Sequence, residues 1–112
     1  MILSKSDEIF DAQIKTIDFG LSHMCKKVNG KFELMSTKVG TPYYMAPDIL
    51  NGNYTLGCDI WSAGCILYIM LCGYSPFNGE NDNEILVNLQ KGEFTFDDEE
   101  WSEISKDAKD LI

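Results

Sequence analysis

Gly40-Thr41-Pro42-Tyr43-Tyr44-Met45-Ala46-Pro47-Asp48-Ile49-Leu50, followed by the run Cys58-Asp59-Ile60-Trp61-Ser62-Ala63-Gly64-Cys65 and on to Cys72, is the stretch on which the fold turns. Gly-Thr-Pro makes a turn. Ala46 to Leu50 predicts one or two helical turns, with Pro47 tolerated near the start because its missing N–H has no partner there anyway. Residues 58 to 72 are apolar nearly all round, which predicts a helix lying inside a domain, stopped by Gly73. The longest apolar run within it, Ile60 to Cys72, is broken by Ser62 and Gly64 and is too short to span a bilayer.

Working outward toward the C-terminus, Tyr74-Ser75-Pro76-Phe77 reads as a turn. Asn81 and Glu84 form a capping pair for an amphipathic helix carrying Ile85, Leu86 and Leu89. Ser105 caps a last helix, whose Asp107 lies near the positive end of the helix dipole. Toward the N-terminus, Ile2-Leu3, a polar turn from Ser4 to Glu8 and alternation through Gln13-Ile14-Lys15-Thr16-Ile17 predict a β-hairpin over 1–17 ending at Asp18-Phe19-Gly20. From Leu21 to Tyr44 periodicity is lost. This span carries Lys26, Lys27, Lys31 and Lys38 and an Asn29-Gly30 pair of the tight-turn kind, so it reads as a long functional loop. The expected class is α+β, mainly α, in one structural unit without internal repeats.

With 112 residues and 45% hydrophobic content, the chain fits one globular domain or part of a larger one. Its formal charge of −9 repels phosphate backbones and anionic lipid, which disfavours nucleic acid and membrane surfaces as partners. An acidic surface suits basic peptides, although a solvated surface that aids solubility is the preferred reading. The start lacks a basic segment followed by an apolar one, so no secretory signal is visible. Cys25, Cys58, Cys65 and Cys72 lack Cys-x-x-Cys spacing, and the single His23 completes no zinc site with them. They read as reduced, buried thiols of a cytoplasmic protein.

Asp18-Phe19-Gly20, the Gly40 to Pro47 stretch, Asp59 to Gly64 and Gly73-Tyr74-Ser75-Pro76-Phe77 follow one another in an order and spacing that resembles the activation segment and following helices of eukaryotic Ser/Thr protein kinases. The resemblance covers essentially the whole chain and implies a C-terminal-lobe fragment: hairpin 1–17, activation segment 18–48, central buried helix 58–72 and peripheral helices 81–112. Gly-Thr-Pro-Tyr-Tyr, Leu71-Cys72-Gly73-Tyr74 and the close from Glu100-Trp101 to Ala108-Lys109-Asp110-Leu111-Ile112 look most like calcium-dependent protein kinases of the calmodulin-kinase group.

The resemblance implies roles for particular residues. Asp18 matches the carboxylate that holds Mg²⁺ on the ATP phosphates, with Phe19 and Gly20 beside it setting the geometry of that site. Without the resemblance, Asp18 is a turn former and Phe19 an ordinary core aromatic. Thr41 matches the supporting hydroxyl that bonds the catalytic Asp and Lys. Val39, Gly40, Thr41, Pro42, Tyr43 and Tyr44 match the pocket for the residue after the phosphoacceptor, where the bland reading is a simple turn. Thr37, with Ser36 as runner-up, occupies the regulatory phosphosite. Asp59 matches an organiser of the catalytic loop, Trp61 a core residue, and Asp48 the place of a usual Glu whose ion pair it makes one methylene short.

Three departures qualify these roles. The family's His-Arg-Asp-x-Lys-Pro-Glu-Asn segment does not occur in these residues, nor do the glycine-rich loop and the nucleotide-anchoring Lys, so no catalytic base is present and the chain alone is expected to be inactive and to bind ATP poorly. Ile69 stands where strongly basophilic cyclic-nucleotide-dependent kinases place a Glu. No twelve-residue calcium loop is found. The first reading is a piece of a kinase that transfers the γ-phosphate of Mg·ATP to protein Ser/Thr, completed by the rest of its domain; the second is a non-catalytic peptide-binding scaffold derived from one. A soluble domain with accidental motifs is the third. The exposed apolar faces of a lobe cut this way predict self-association.

Overall fold

The computed structural model describes residues 2–3, 14–96 and 99–112. Strands β1 (Ile2–Leu3) and β2 (Ile14–Lys15) pair antiparallel, Ile2 opposite Lys15 and Leu3 opposite Ile14. The turn expected between them lies outside the described residues. A second antiparallel pair, β3 (Lys27–Val28) and β4 (Lys31–Phe32), interrupts the span expected to be a loop. Asn29 and Gly30 join its strands with φ of 50° and 80°. Both signs are what a two-residue hairpin turn requires, since its backbone twist then matches that of the strands.

Among the described residues four helices follow: α1 (Pro47–Asn51), α2 (Gly57–Cys72), α3 (Asp82–Lys91) and α4 (Lys106–Leu111). Their ends obey local chemistry. Pro47 opens α1 at a position where a missing N–H costs nothing. Gly73 closes α2 at φ 91°, a left-handed cap that other L-residues adopt only under strain. Asn81 accepts the Glu84 N–H at 3.1 Å, and Glu84 reaches back to the Glu80 N–H at 2.8 Å. Ser105 accepts the Ala108 N–H at 3.2 Å.

The core gathers on one side of α2. Ala46, Ile49 and Tyr54 form one cluster, and Cys65, Phe77 and Leu89 another, with Met45 and Trp61 touching both. Trp61 stacks on Phe77, ring centroids 5.5 Å apart and 11° from parallel. Farther along α2, Tyr68 and Phe96 each meet Trp101 at 4.6 Å. The 3-10 turn Pro42–Tyr44 packs against α2 and α3, and the turn Glu99–Trp101 against α2.

The helix expected over 58–72 is present from Gly57, but it is not buried all round. Cys65 and Tyr68 are its buried residues, Trp61, Cys58 and Cys72 are half-buried, and Ile60 and Met70 are 76% and 67% exposed. The bare residues Leu56, Ile60, Ala63, Ile66 and Met70 share one face at helical spacing, opposite Trp61, Cys65 and Tyr68. An all-apolar helix needs partners on both sides, and the described residues cover only one. The light-scattering mass of the 112-residue chain is therefore expected to rise with concentration, and the pair Ile60→Lys and Met70→Lys to hold it at the monomer mass. A concentration-independent monomer mass for the unaltered chain overturns this.

Candidate functional site

Asp18 lies just past β2 with φ 63°, a left-handed conformation that Asp tolerates better than most residues. Its Oδ1 accepts the Gly20 N–H at 3.3 Å, and the Ser22 N–H and hydroxyl both donate to the Phe19 carbonyl, at 3.0 and 2.7 Å. These bonds make a tight local turn that leaves the carboxylate in solvent. Phe19, expected to pack, is 67% exposed.

The second group of expected residues runs from Ser36 to Tyr44. Among them only Pro42 is half-buried; the others are exposed. Thr41 precedes the 3-10 turn and its carbonyl accepts the Tyr44 N–H at 3.1 Å, while its hydroxyl caps nothing. None of the hydrogen bonds among the described residues joins Asp18, Phe19 or Gly20 to residues 39–44. Ser36 and Thr37 line a groove of about 310 Å³ together with His23, Cys25 and Lys26. Asp48 and Asp59 are exposed in the first turns of α1 and α2, where their charge favours the helix dipole. Half-buried Trp61 keeps its indole N–H buried, with no acceptor among the described residues.

Thiolate chemistry is not favoured at Cys58 or Cys65. Burial pushes the Cys65 thiol above its ordinary value, and the Cys58 thiol is raised first by burial and then by the adjacent Asp59 carboxylate. Reactive cysteines require the opposite shift. Among the described residues no three His, Cys, Asp or Glu side chains converge as a metal-binding group, and no helix is long and apolar enough to cross a membrane.

The protein kinase domain family matches residues 2–112. The chain belongs to that family. It is 51% identical over 106 residues to calcium-dependent protein kinase 5 of Plasmodium falciparum (isolate 3D7), a match covering 95% of this chain and 18% of that protein. Calcium-dependent protein kinase 3 of Plasmodium berghei (strain Anka) is 50% identical over 106 residues, covering 95% of this chain and 19% of that protein. Calcium-dependent protein kinase 4 of the same organism is 48% identical over 114 residues, covering 99% and 20%. The chain thus spans about a fifth of the length of these relatives.

Within this kinase-domain chain, three residues to which the sequence assigns no such role hold the 36–44 segment. Tyr54 pairs its backbone with Met35 and donates its hydroxyl to the Thr37 carbonyl at 2.7 Å. Lys38 Nζ donates to the Leu50 carbonyl at 2.6 Å, near the end of α1. The Ser62 hydroxyl, on α2, lies 2.7 Å from the Tyr44 carbonyl and 3.1 Å from that of Cys58. All three act on backbone carbonyls, so no side-chain pattern announces them.

Proposed function

We propose that the chain supplies the activation segment and peptide-binding portion, within the C-terminal lobe, of a protein kinase that transfers the γ-phosphate of Mg·ATP to Ser or Thr of protein substrates. What supports this best is the segment Ser36 to Tyr44, tied down at one end through Tyr54 and Lys38 and at the other through Ser62, with most of its side chains turned to solvent. A surface of fixed backbone and free side chains suits an extended peptide. In this reading Val39 to Tyr44 form the pocket next to the phosphoacceptor, and Thr41 supports the catalytic loop.

Asp18 is the residue here for a magnesium ion. Mg²⁺ keeps most of its waters and takes one or two carboxylates along with substrate phosphates, and a single solvent-facing carboxylate held by the Gly20 N–H fits that donor set. When bound, the ion neutralises charge on the transferred phosphoryl group. The protein's part is to hold Asp18 in its left-handed turn, exposed and with its carboxylate accepting the Gly20 N–H. Thr37 is the proposed phosphosite, and Lys26 and His23 line the same groove.

Residues 1–56 hold six acidic and six basic residues, whereas 57–112 hold twelve and three, so the surplus sits in the half that follows the 39–44 segment.

Phosphate transfer needs a group to orient the acceptor hydroxyl, and none of the motifs that carry one occurs in these 112 residues. The polypeptide of these residues alone is expected to show no rise in melting temperature with Mg·ATP and no transfer to a basic Ser/Thr peptide. The full-length protein is expected to show both. Transfer by the short polypeptide, or none by the full-length protein, contradicts the proposal.

A further inference from the structure

Tyr54 is 8% exposed and belongs to the cluster with Ala46 and Ile49, against which Met35, Met45, Cys58 and Trp61 pack. Its ring is fixed by packing, so its hydroxyl is a rigid point. That hydroxyl meets the Thr37 carbonyl at 2.7 Å, while the Tyr54 backbone exchanges two hydrogen bonds with Met35, at 2.9 and 3.1 Å. Lys38 adds the bond to Leu50. From Met35 to Lys38 the chain is therefore tied to the turn between α1 and α2, and the next tie to that frame through a side chain is at Tyr44, through Ser62.

We infer that Tyr54 is a positioning residue for the peptide substrate: its hydroxyl sets where the solvent-facing segment that runs from Val39 into the 3-10 turn Pro42–Tyr44 begins, and hence the affinity for peptide but not for nucleotide. The inference rests on the kinase reading above. The bond goes to a backbone oxygen, so it persists whatever side chain stands at position 37 and leaves the Thr37 hydroxyl available for modification. Removing the phenol oxygen deletes one hydrogen bond while the ring keeps filling the cluster, so a change confined to the segment is separable from general loss of packing.

The test is Tyr54→Phe in the full-length protein. Peptide KM is expected to rise about fivefold, the scale of one lost hydrogen bond, with ATP KM and kcat within about twofold of the parent. Trypsin is expected to cut after Lys38 several times faster, with the cuts after Lys91 and Lys106 unchanged. Both changes together are the expected result. Absence of either, or a parallel change in peptide and ATP KM, overturns the inference. Should Tyr54→Phe fail to fold, Lys38→Gln removes a second tie from an exposed side chain and is expected to give the same split between peptide and ATP KM. A parent protein without transferase activity defeats the kinase reading instead, while the rate of cutting after Lys38 still decides whether Tyr54 anchors the segment.

Discussion

Asp18→Asn in the full-length protein is expected to cut kcat by about 10²–10³-fold, because a metal-held charge contributes several kcal/mol to phosphoryl transfer and each 1.36 kcal/mol is a factor of ten. The substitution is close to isosteric. Its amide oxygen can still accept the Gly20 N–H, which Asp18 Oδ1 now takes at 3.3 Å, and Asn enters the left-handed region as readily as Asp. What is lost is the charge. The side chain is exposed, so the melting temperature is expected to stay within a degree or so of the parent. Steady-state transfer to a Ser/Thr peptide, measured beside a thermal melt, checks both halves. Activity within about threefold of the parent removes Asp18 from the metal site; a large drop in melting temperature reassigns it to structure.

Trp101→Ala carries the largest expected cost to stability. Trp101 is 0% exposed and meets Tyr68 and Phe96 at 4.6 Å each. Tyr68 in turn donates its hydroxyl to the Thr95 carbonyl at 2.9 Å. Emptying a site of that size costs about 3–5 kcal/mol, against a total of about 5–15 kcal/mol for a typical domain. A urea titration is expected to show the midpoint falling by a large fraction, with Trp101→Phe losing less because a ring remains in the cluster. A midpoint shift equivalent to less than about 1 kcal/mol shows that the aromatic cluster does not hold α2 to the turn at Glu99–Trp101.

The helix boundaries were open to reading because each rests on local chemistry. Gly73 ends α2, Asn81 and Ser105 start α3 and α4, and Asn29-Gly30 turns β3 into β4. Each signal lies within four residues of its effect. Burial was harder to read. An apolar run from 58 to 72 states what the helix needs around it and says nothing of how much of that surrounding lies within the same 112 residues, so Ile60 and Met70 stand bare where the pattern implied contact. The site divides the same way. Asp18 and the Gly40 to Tyr44 stretch are marked by residue type, whereas Tyr54 acts on a carbonyl 17 positions away, a distance at which no periodicity speaks. Lys38 was noted as one cation in a basic loop; its partner, the Leu50 carbonyl, has no identity in sequence at all.

From Ser36 to Thr41 every residue is exposed, and the ties on this strip, through Tyr54 and Lys38, are hydrogen bonds, whereas Met35 and the 3-10 turn Pro42–Tyr44 on either side pack onto the body of the protein. Letting go of the strip costs a few hydrogen bonds and little buried surface, far below the cost of melting the molecule. Its outward residues can thus be exchanged over generations, altering which sequences are gripped, without drawing on the stability of the scaffold that carries them.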